Sequence, residues 1–198
     1  MGALINQSWF YQTAFYVAIA VCFLPEWYGS AFKRSEKGAV SRDRGSHWWL
    51  LIVIGAGIFV AIFLLNANLP GTTITWYQPV VFWIGIALMV AGQVFRWNAI
   101  RVLGKFFTFN VATRAGQYVV DTGPYRSIRH PGYAGSLLAF FGLGLAMTNW
   151  ASLVAVMLGI GIGYAYRVRI EERALCADLG QPYRDYMRRT RRFVPYVW

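Results

Sequence analysis

The stretch YAGSLLAFFGLGLAMTNWASLVAVMLGIGIGYAY, residues 133–166, contains no Lys, Arg, His, Asp or Glu. The polar pair Thr148-Asn149 divides it into Tyr133–Met147 and Trp150–Tyr166. Each half approaches the ~20 apolar residues that a helix needs to cross a bilayer, within a range of about 17–25. The stretch therefore reads as a tight helical hairpin whose short arms need not cross fully. The consequence is geometric: the residues before Tyr133 and those after Tyr166 must meet at one membrane surface. The run before the hairpin is Gly123-Pro124-Tyr125-Arg126-Ser127-Ile128-Arg129-His130-Pro131-Gly132, and the run after it is Arg167-Val168-Arg169-Ile170-Glu171-Glu172. Basic, imidazole, aromatic and carboxylate groups thus gather at the mouth of an apolar hairpin.

Working outward, three further apolar stretches, Trp9–Trp27, Trp48–Leu65 and Pro79–Phe95, end in many places on Trp or Tyr, the residues favoured at membrane interfaces. Of 198 residues, 57% are hydrophobic and 14% charged, and the mean hydropathy is +0.41; soluble domains carry about 25% charged residues. The expected fold is all-α, an integral-membrane helical bundle of about five transmembrane helices. The net charge of +11 would suit nucleic acid, but the charges are distributed as a topology signal. Every Lys and Arg falls in 28–47, 96–132 or 167–198, and 66–78 has no charge. Positive loops stay inside, which places the N-terminus outside and the C-terminus in the cytoplasm. With no Lys or Arg in residues 1–25, the first stretch is expected to be a retained span rather than a signal peptide. The acidic residues lie on or at the edge of the cytoplasmic side, so the membrane interior lacks the ionisable relay of a pump or voltage sensor. Cys22 and Cys176 form neither a disulfide framework nor a metal-ligand spacing. Gly159 and Gly163, in GxxxG spacing, read as helix packing.

The polar information lies after Phe95. The segment Arg96–Gly132 is long for a loop, yet Phe106, Phe107, Phe109, Tyr118 and Tyr125 give it material to pack. Pro131 suits a first helical turn, which leaves His130 near the N-cap, where unpaired N–H groups and the helix dipole favour an anion. Arg126, Arg129 and His130 are equally readable as a snorkelling interfacial cluster. Beyond Tyr166 the helix should continue, with Arg167 and Glu171 four residues apart on one face, an ordinary ion-pair spacing. Gly180 reads as a helix stop and Pro182 as the first turn of a short final helix. Arg188, Arg189, Arg191 and Arg192 then read as anchors to anionic lipid at the cytoplasmic face.

An ordered set of motifs spans roughly residues 95–195: Leu103-Gly104-Lys105-Phe106-Phe107, Val119-Val120-Asp121-Thr122-Gly123-Pro124-Tyr125, Arg129-His130-Pro131-Gly132-Tyr133-Ala134-Gly135, Glu171-Glu172 and Gly180-Gln181-Pro182-Tyr183-Arg184-Asp185-Tyr186. Together they resemble the isoprenylcysteine carboxyl methyltransferase family, related to the integral-membrane phospholipid methyltransferases. The resemblance implies a membrane enzyme that transfers a methyl group from S-adenosylmethionine to a lipid or lipidated acceptor, with its cofactor pocket on the cytoplasmic side. It divides the chain into 1–95, three spans with their loops, and 96–198, a catalytic half with cofactor loop, hairpin and C-terminal helices. Carried over position by position, it implies cofactor contacts at Gln117, Tyr118, Val119, Val120, Tyr125, His130, Pro131, Gly132, Tyr133 and Glu171. Arg167 matches an arginine near the substrate, and Arg129 and Glu172 are the other candidates for a catalytic role. The chain departs from the eukaryotic pattern at Val168-Arg169-Ile170, where those enzymes are more acidic, and in having fewer spans. Three alternatives stand beside this expectation: a nicotinamide-dependent membrane sterol or lipid reductase, a phospholipid amine N-methyltransferase and a non-enzymatic membrane scaffold.

Overall fold

In the computed structural model, which describes residues 2–32, 40–41, 45–108, 112–113 and 116–193, six helices account for nearly all regular structure. They are α1 (Trp9–Phe32), α2 (Ser46–Asn66), α3 (Gln78–Leu103), α4 (Pro131–Ala146), α5 (Trp150–Leu179) and α6 (Gln181–Arg189). Two dipeptides, β1 (Val40–Ser41) and β2 (Ala112–Thr113), form a minimal antiparallel ladder. Each of the five expected apolar stretches is a helix. By length and apolar composition α2, α3 and α5 suffice to cross a membrane, whereas α4, at 16 residues, is shorter.

The helices pack through backbone rather than bulk. A Cβ on Gly92 of α3 would collide with the Ala139 nitrogen of α4, and one on Gly142 would collide with the Met89 nitrogen of α3. The two helices therefore run antiparallel in direct backbone contact, the arrangement small residues permit in membranes. A Cβ on Gly57 of α2 would lie only 3.0 Å from the Cα of Gly159 of α5, and one on Gly163 would press on Leu50 of α2, so the Gly159/Gly163 spacing is accounted for by packing. α4 and α5 form the expected hairpin. Its turn is fastened to the 72–74 loop by Ile74 N–H donating to the Thr148 carbonyl at 2.9 Å and Trp150 N–H donating to the Thr72 carbonyl at 2.8 Å. The Asn149 side chain caps α5 by accepting from Ser152 N–H at 3.0 Å.

α3 and α5 outrun their apolar stretches by about two turns or more, and both extensions build the site. α3 continues about two turns past Phe95 to Leu103, because Arg96 is not a loop residue. Its guanidinium pairs with Glu26 of α1 at 2.9 Å, and its backbone lies against Gly135 of α4. α5 continues past Tyr166 to Leu179. It stops at Gly180, whose φ of +63° lies in a region that costs other residues Cβ strain. Pro182 then lies in the first turn of α6.

Candidate active site

The hairpin brings its two flanks together. A cavity opens where the extensions of α3 and α5, the first turn of α4, α6 and the 117–120 segment converge. Of the residues expected at the site, Gln117, Tyr118, Val119, Val120, Tyr125, Arg129, His130, Gly132, Tyr133, Arg167 and Glu171 line it. The wall also includes Arg96, Ile100 and Leu103 of α3, Leu175 and Leu179 of α5, and Tyr183 and Tyr186 of α6. Sequence reasoning misses these as site residues. Arg96, the first charge after an uncharged stretch, is the available signal for α3, while the aliphatic residues carry none.

The polar centre of the cavity is a chain through one phenol. Tyr133 Oη donates to Glu171 Oε2 at 2.7 Å, and Arg167 Nε donates to Tyr133 Oη at 3.2 Å. Arg167 Nη1 also donates to Ser46 Oγ at 2.9 Å, which ties α2 into the site. The four-residue spacing of Arg167 and Glu171 thus serves convergence on Tyr133 rather than an ordinary ion pair along the helix. Tyr133 is held between the His130 ring, stacked at 5.6 Å, and the Tyr164 ring at 4.5 Å. Phe106 meets Tyr118 edge-on at 5.0 Å at the 117–120 side. Burial raises the phenols of Tyr125, Tyr183 and Tyr186 above their ordinary range, and the Glu171 carboxylate adds to this at Tyr125 and Tyr183. All three are neutral hydrogen-bond donors at physiological pH.

Two expected site residues do not reach the cavity. Pro131 is fully buried at the start of α4, where its ring fills packing space. Glu172, next to Glu171, is turned about 100° around the helix, a rotation set by 3.6 residues per turn, and faces the C-terminal segment. Its Oε1 accepts from Arg129 Nε at 2.9 Å and lies 3.3 Å from His130 Nε2, and its Oε2 accepts from Arg192 Nη2 at 2.9 Å. Burial would raise this carboxyl, but hydrogen bonds from His130, Arg192 and Arg129 outweigh burial and hold it down at about 2. Glu172 is therefore held ionised at neutral pH inside a clasp with Arg129, His130 and Arg192.

Arg129 lines the cavity, but its guanidinium is committed behind it. Besides Glu172 it donates to the Met187 and Thr190 carbonyls at the end of α6, at 3.0 and 2.5 Å. The backbone completes this clasp: Arg129 N–H donates to the Arg191 carbonyl at 2.6 Å, and His130 N–H to the Arg192 carbonyl at 3.0 Å. The amide at the α4 N-cap is thus engaged within the protein rather than turned to an anion. Arg189 pairs with Asp121 at 2.7 Å and Arg188 with Asp185 at 3.4 Å, so three of the four C-terminal arginines read as lipid anchors, Arg188, Arg189 and Arg192, pair internally. Among the described residues no cluster of His, Cys, Asp and Glu could hold a metal ion.

The family model for phospholipid methyltransferase matches residues 80–181. The chain is similar to protein-S-isoprenylcysteine O-methyltransferase B of Arabidopsis thaliana, with 27% identity over 153 residues, 76% of this chain and 75% of that protein. It is similar to a probable protein-S-isoprenylcysteine O-methyltransferase of Oryza sativa subsp. indica, with 28% identity over 119 residues, 59% of this chain and 62% of that one. It also resembles the cobalt-zinc-cadmium resistance protein CzcN of Cupriavidus metallidurans, with 32% identity over 149 residues, 72% of this chain and 63% of that one. Among solved structures, the eukaryotic intramembrane Ras methyltransferase ICMT shares the fold, with a TM-score of 0.59 and 21% identity over 95% of this chain and 63% of that one. The chain thus spans less than two thirds of several of these relatives. The matched span, 80–181, includes α3 from Val80 onward, the 117–120 segment, the hairpin and Glu171, just over half of the chain, and the chain belongs to the phospholipid methyltransferase family.

Proposed function

We propose that this protein is an S-adenosylmethionine-dependent methyltransferase acting at the membrane surface on a lipid or lipidated acceptor with an anionic group, of the S-isoprenylcysteine carboxylate type. The observation that carries the reading is the Glu171–Tyr133–Arg167 chain, which places a carboxylate and a guanidinium in one cavity beside an apolar hairpin.

The wall fits the cofactor. The 117–120 segment has no regular secondary structure and offers peptide edges to an adenine, while Phe106 and Tyr118 offer rings to stack on. Glu171 accepts from ribose hydroxyls or an amino group, and neutral phenols and aromatic faces suit a sulfonium. When bound, the cofactor supplies an electrophilic methyl group; this chain supplies geometry. Arg167 and Arg96 hold the acceptor's anionic group by charge-assisted, fork-shaped hydrogen bonds. Ile100, Leu103, Leu175 and Leu179 exclude water, and with it hydrolysis. A carboxylate acceptor is already ionised at neutral pH, so no general base is needed and catalysis is positioning. An amine acceptor would have to lose a proton first, and two guanidiniums in the wall disfavour an ammonium group there. The lipid portion enters from the bilayer, and the soluble cofactor from the side on which the basic loops lie, which the positive-inside rule makes cytoplasmic.

Calorimetric titration of purified protein in detergent with S-adenosylhomocysteine, and separately with NADPH, tests the reading. Binding of S-adenosylhomocysteine that falls at least tenfold in Glu171→Ala supports it. Binding of NADPH alone replaces it with the reductase, and binding of neither favours a scaffold.

A further inference from the structure

Glu26 belongs to neither the family-matched span nor the motifs of the C-terminal half. It sits near the end of α1, a helix whose described residues are otherwise uncharged, one position after Pro25. A carboxylate at the edge of an apolar span is costly unless paired. Its partner is Arg96 of α3: Oε2 accepts from Nη2 at 2.9 Å, and the two side chains are 17% and 12% exposed. Oε1 accepts from Gln93 Nε2 at 3.0 Å, so both carboxylate oxygens are held from α3.

The pair does more than fasten α1. Phe15 and Cys22 already bury α1 against the core, and a buried ion pair is weak as a stabiliser compared with apolar packing of the same volume. What the pair fixes is the direction of Arg96, which lines the cavity. Nη2 is fixed by Glu26, and Nη1 donates to the Gly132 carbonyl at 3.2 Å. Gly132 precedes Tyr133, to which Arg167 donates. The two guanidiniums therefore flank the first turn of α4, and two of the five N–H donors of Arg96 are used in aiming it. We infer that Glu26 is a positioning residue: α1 reaches into the site through Arg96 and sets the end of the cavity that takes the acceptor's anionic group. The inference rests on the methyltransferase reading above.

The experiment uses the full chain in detergent, with N-acetyl-S-farnesylcysteine as acceptor, the corresponding carboxamide as a neutral competitor, and S-adenosylhomocysteine as a reporter of the cofactor end. In Glu26→Ala the KM for the acid should rise about tenfold, the scale of one charge-assisted hydrogen bond. The preference of the site for acid over carboxamide should fall by a similar factor, while S-adenosylhomocysteine affinity stays within about twofold. Glu26→Gln keeps an oxygen for Nη2 and should recover most of the KM. This variant also guards against misfolding, since it preserves the packing volume.

A merely structural role would weaken acid, carboxamide and S-adenosylhomocysteine together and leave the acid preference unchanged, which overturns the inference. So does a Glu26→Ala enzyme with wild-type KM, or a wild-type protein that binds S-adenosylhomocysteine but does not methylate the acid. If the wild-type protein does not bind S-adenosylhomocysteine, the methyltransferase reading itself fails and the inference falls with it.

Discussion

Replacing Glu172 by Gln removes the anion around which Arg129, His130 and Arg192 gather, and its effect can be worked out from the structure. The carboxyl is 5% exposed. Burial raises its pKa, but hydrogen bonds from His130, Arg192 and Arg129 outweigh this and lower it from 4.5 to about 2. At about 1.36 kcal/mol per pKa unit, this corresponds to roughly 3 kcal/mol of stability. The folded-state pKa is depressed, so the stability is fully present above the unfolded value. It is lost as the pH falls, because the unfolded chain takes up the proton first. Between about pH 5 and pH 3 the wild-type protein should lose roughly 2 kcal/mol from this group, and Glu172→Gln should lose none of it. In thermal melts in detergent at one fixed scan rate, the variant should melt lower by about 6–12 °C at pH 7, taking about 2–4 °C per kcal/mol at this size. At pH 3 less than half of that gap should remain. A gap of the same size at both pH values, or no gap at pH 7, would refute the assignment of Glu172 as an ionised anchor.

Other consequences are equally direct. Gly92→Leu and Gly142→Leu should each prise α3 from α4 and lower the melting midpoint or abolish folded protein, because even a Cβ collides with backbone there and overpacking costs about 1–3 kcal/mol or more. Gly161→Ala, with nothing within 4 Å of its Cβ position, should melt like the wild type. Ser46→Ala removes the hydroxyl that accepts from Arg167 and should raise the acceptor KM several-fold while leaving S-adenosylhomocysteine affinity unchanged in a titration. Tyr186→Phe loses a 2.6 Å bond to the Tyr125 carbonyl and should cost about 1 kcal/mol in a melt, with weaker S-adenosylhomocysteine binding because Tyr125 lines the cavity.

The helices were legible because uncharged runs in a bilayer have one economical solution, closing every backbone hydrogen bond within the segment. The hairpin turn at Thr148-Asn149 and the stop at Gly180 were legible as local chemistry. The extension of α3 past Arg96 was not. A basic residue at the end of an apolar run signals an interface, and only the long-range partner Glu26, 70 positions away, turns it into the middle of a helix. The pairing partners Gly85 and Gly92 with Gly135 and Gly142 were likewise visible only as small residues, because contact between two backbones is a property of the pair.

Glu171 and Glu172 show where the reading of the site had to stop. In the sequence they are one motif, two carboxylates with equal claim to chemistry. On a helix they point about 100° apart, and the direction that faces the cavity depends on what α5 packs against. The structure separates them by partner. Glu171 receives one phenolic hydrogen bond from Tyr133 inside the cavity, a contact that a ligand can exchange. Glu172 holds two guanidiniums and lies beside an imidazole, an arrangement that a ligand cannot enter without undoing the clasp between the 127–130 segment and the C-terminus. The same logic separates the arginines. Arg129, the more conspicuous in sequence because it abuts His130, is committed to Glu172 and two carbonyls. Arg167 donates to the Tyr133 phenol, which lines the cavity, and to a serine hydroxyl of α2. Partner chemistry, which sequence spacing does not reveal, is what distinguishes a charge held in the C-terminal clasp from a charge whose partner lines the cavity.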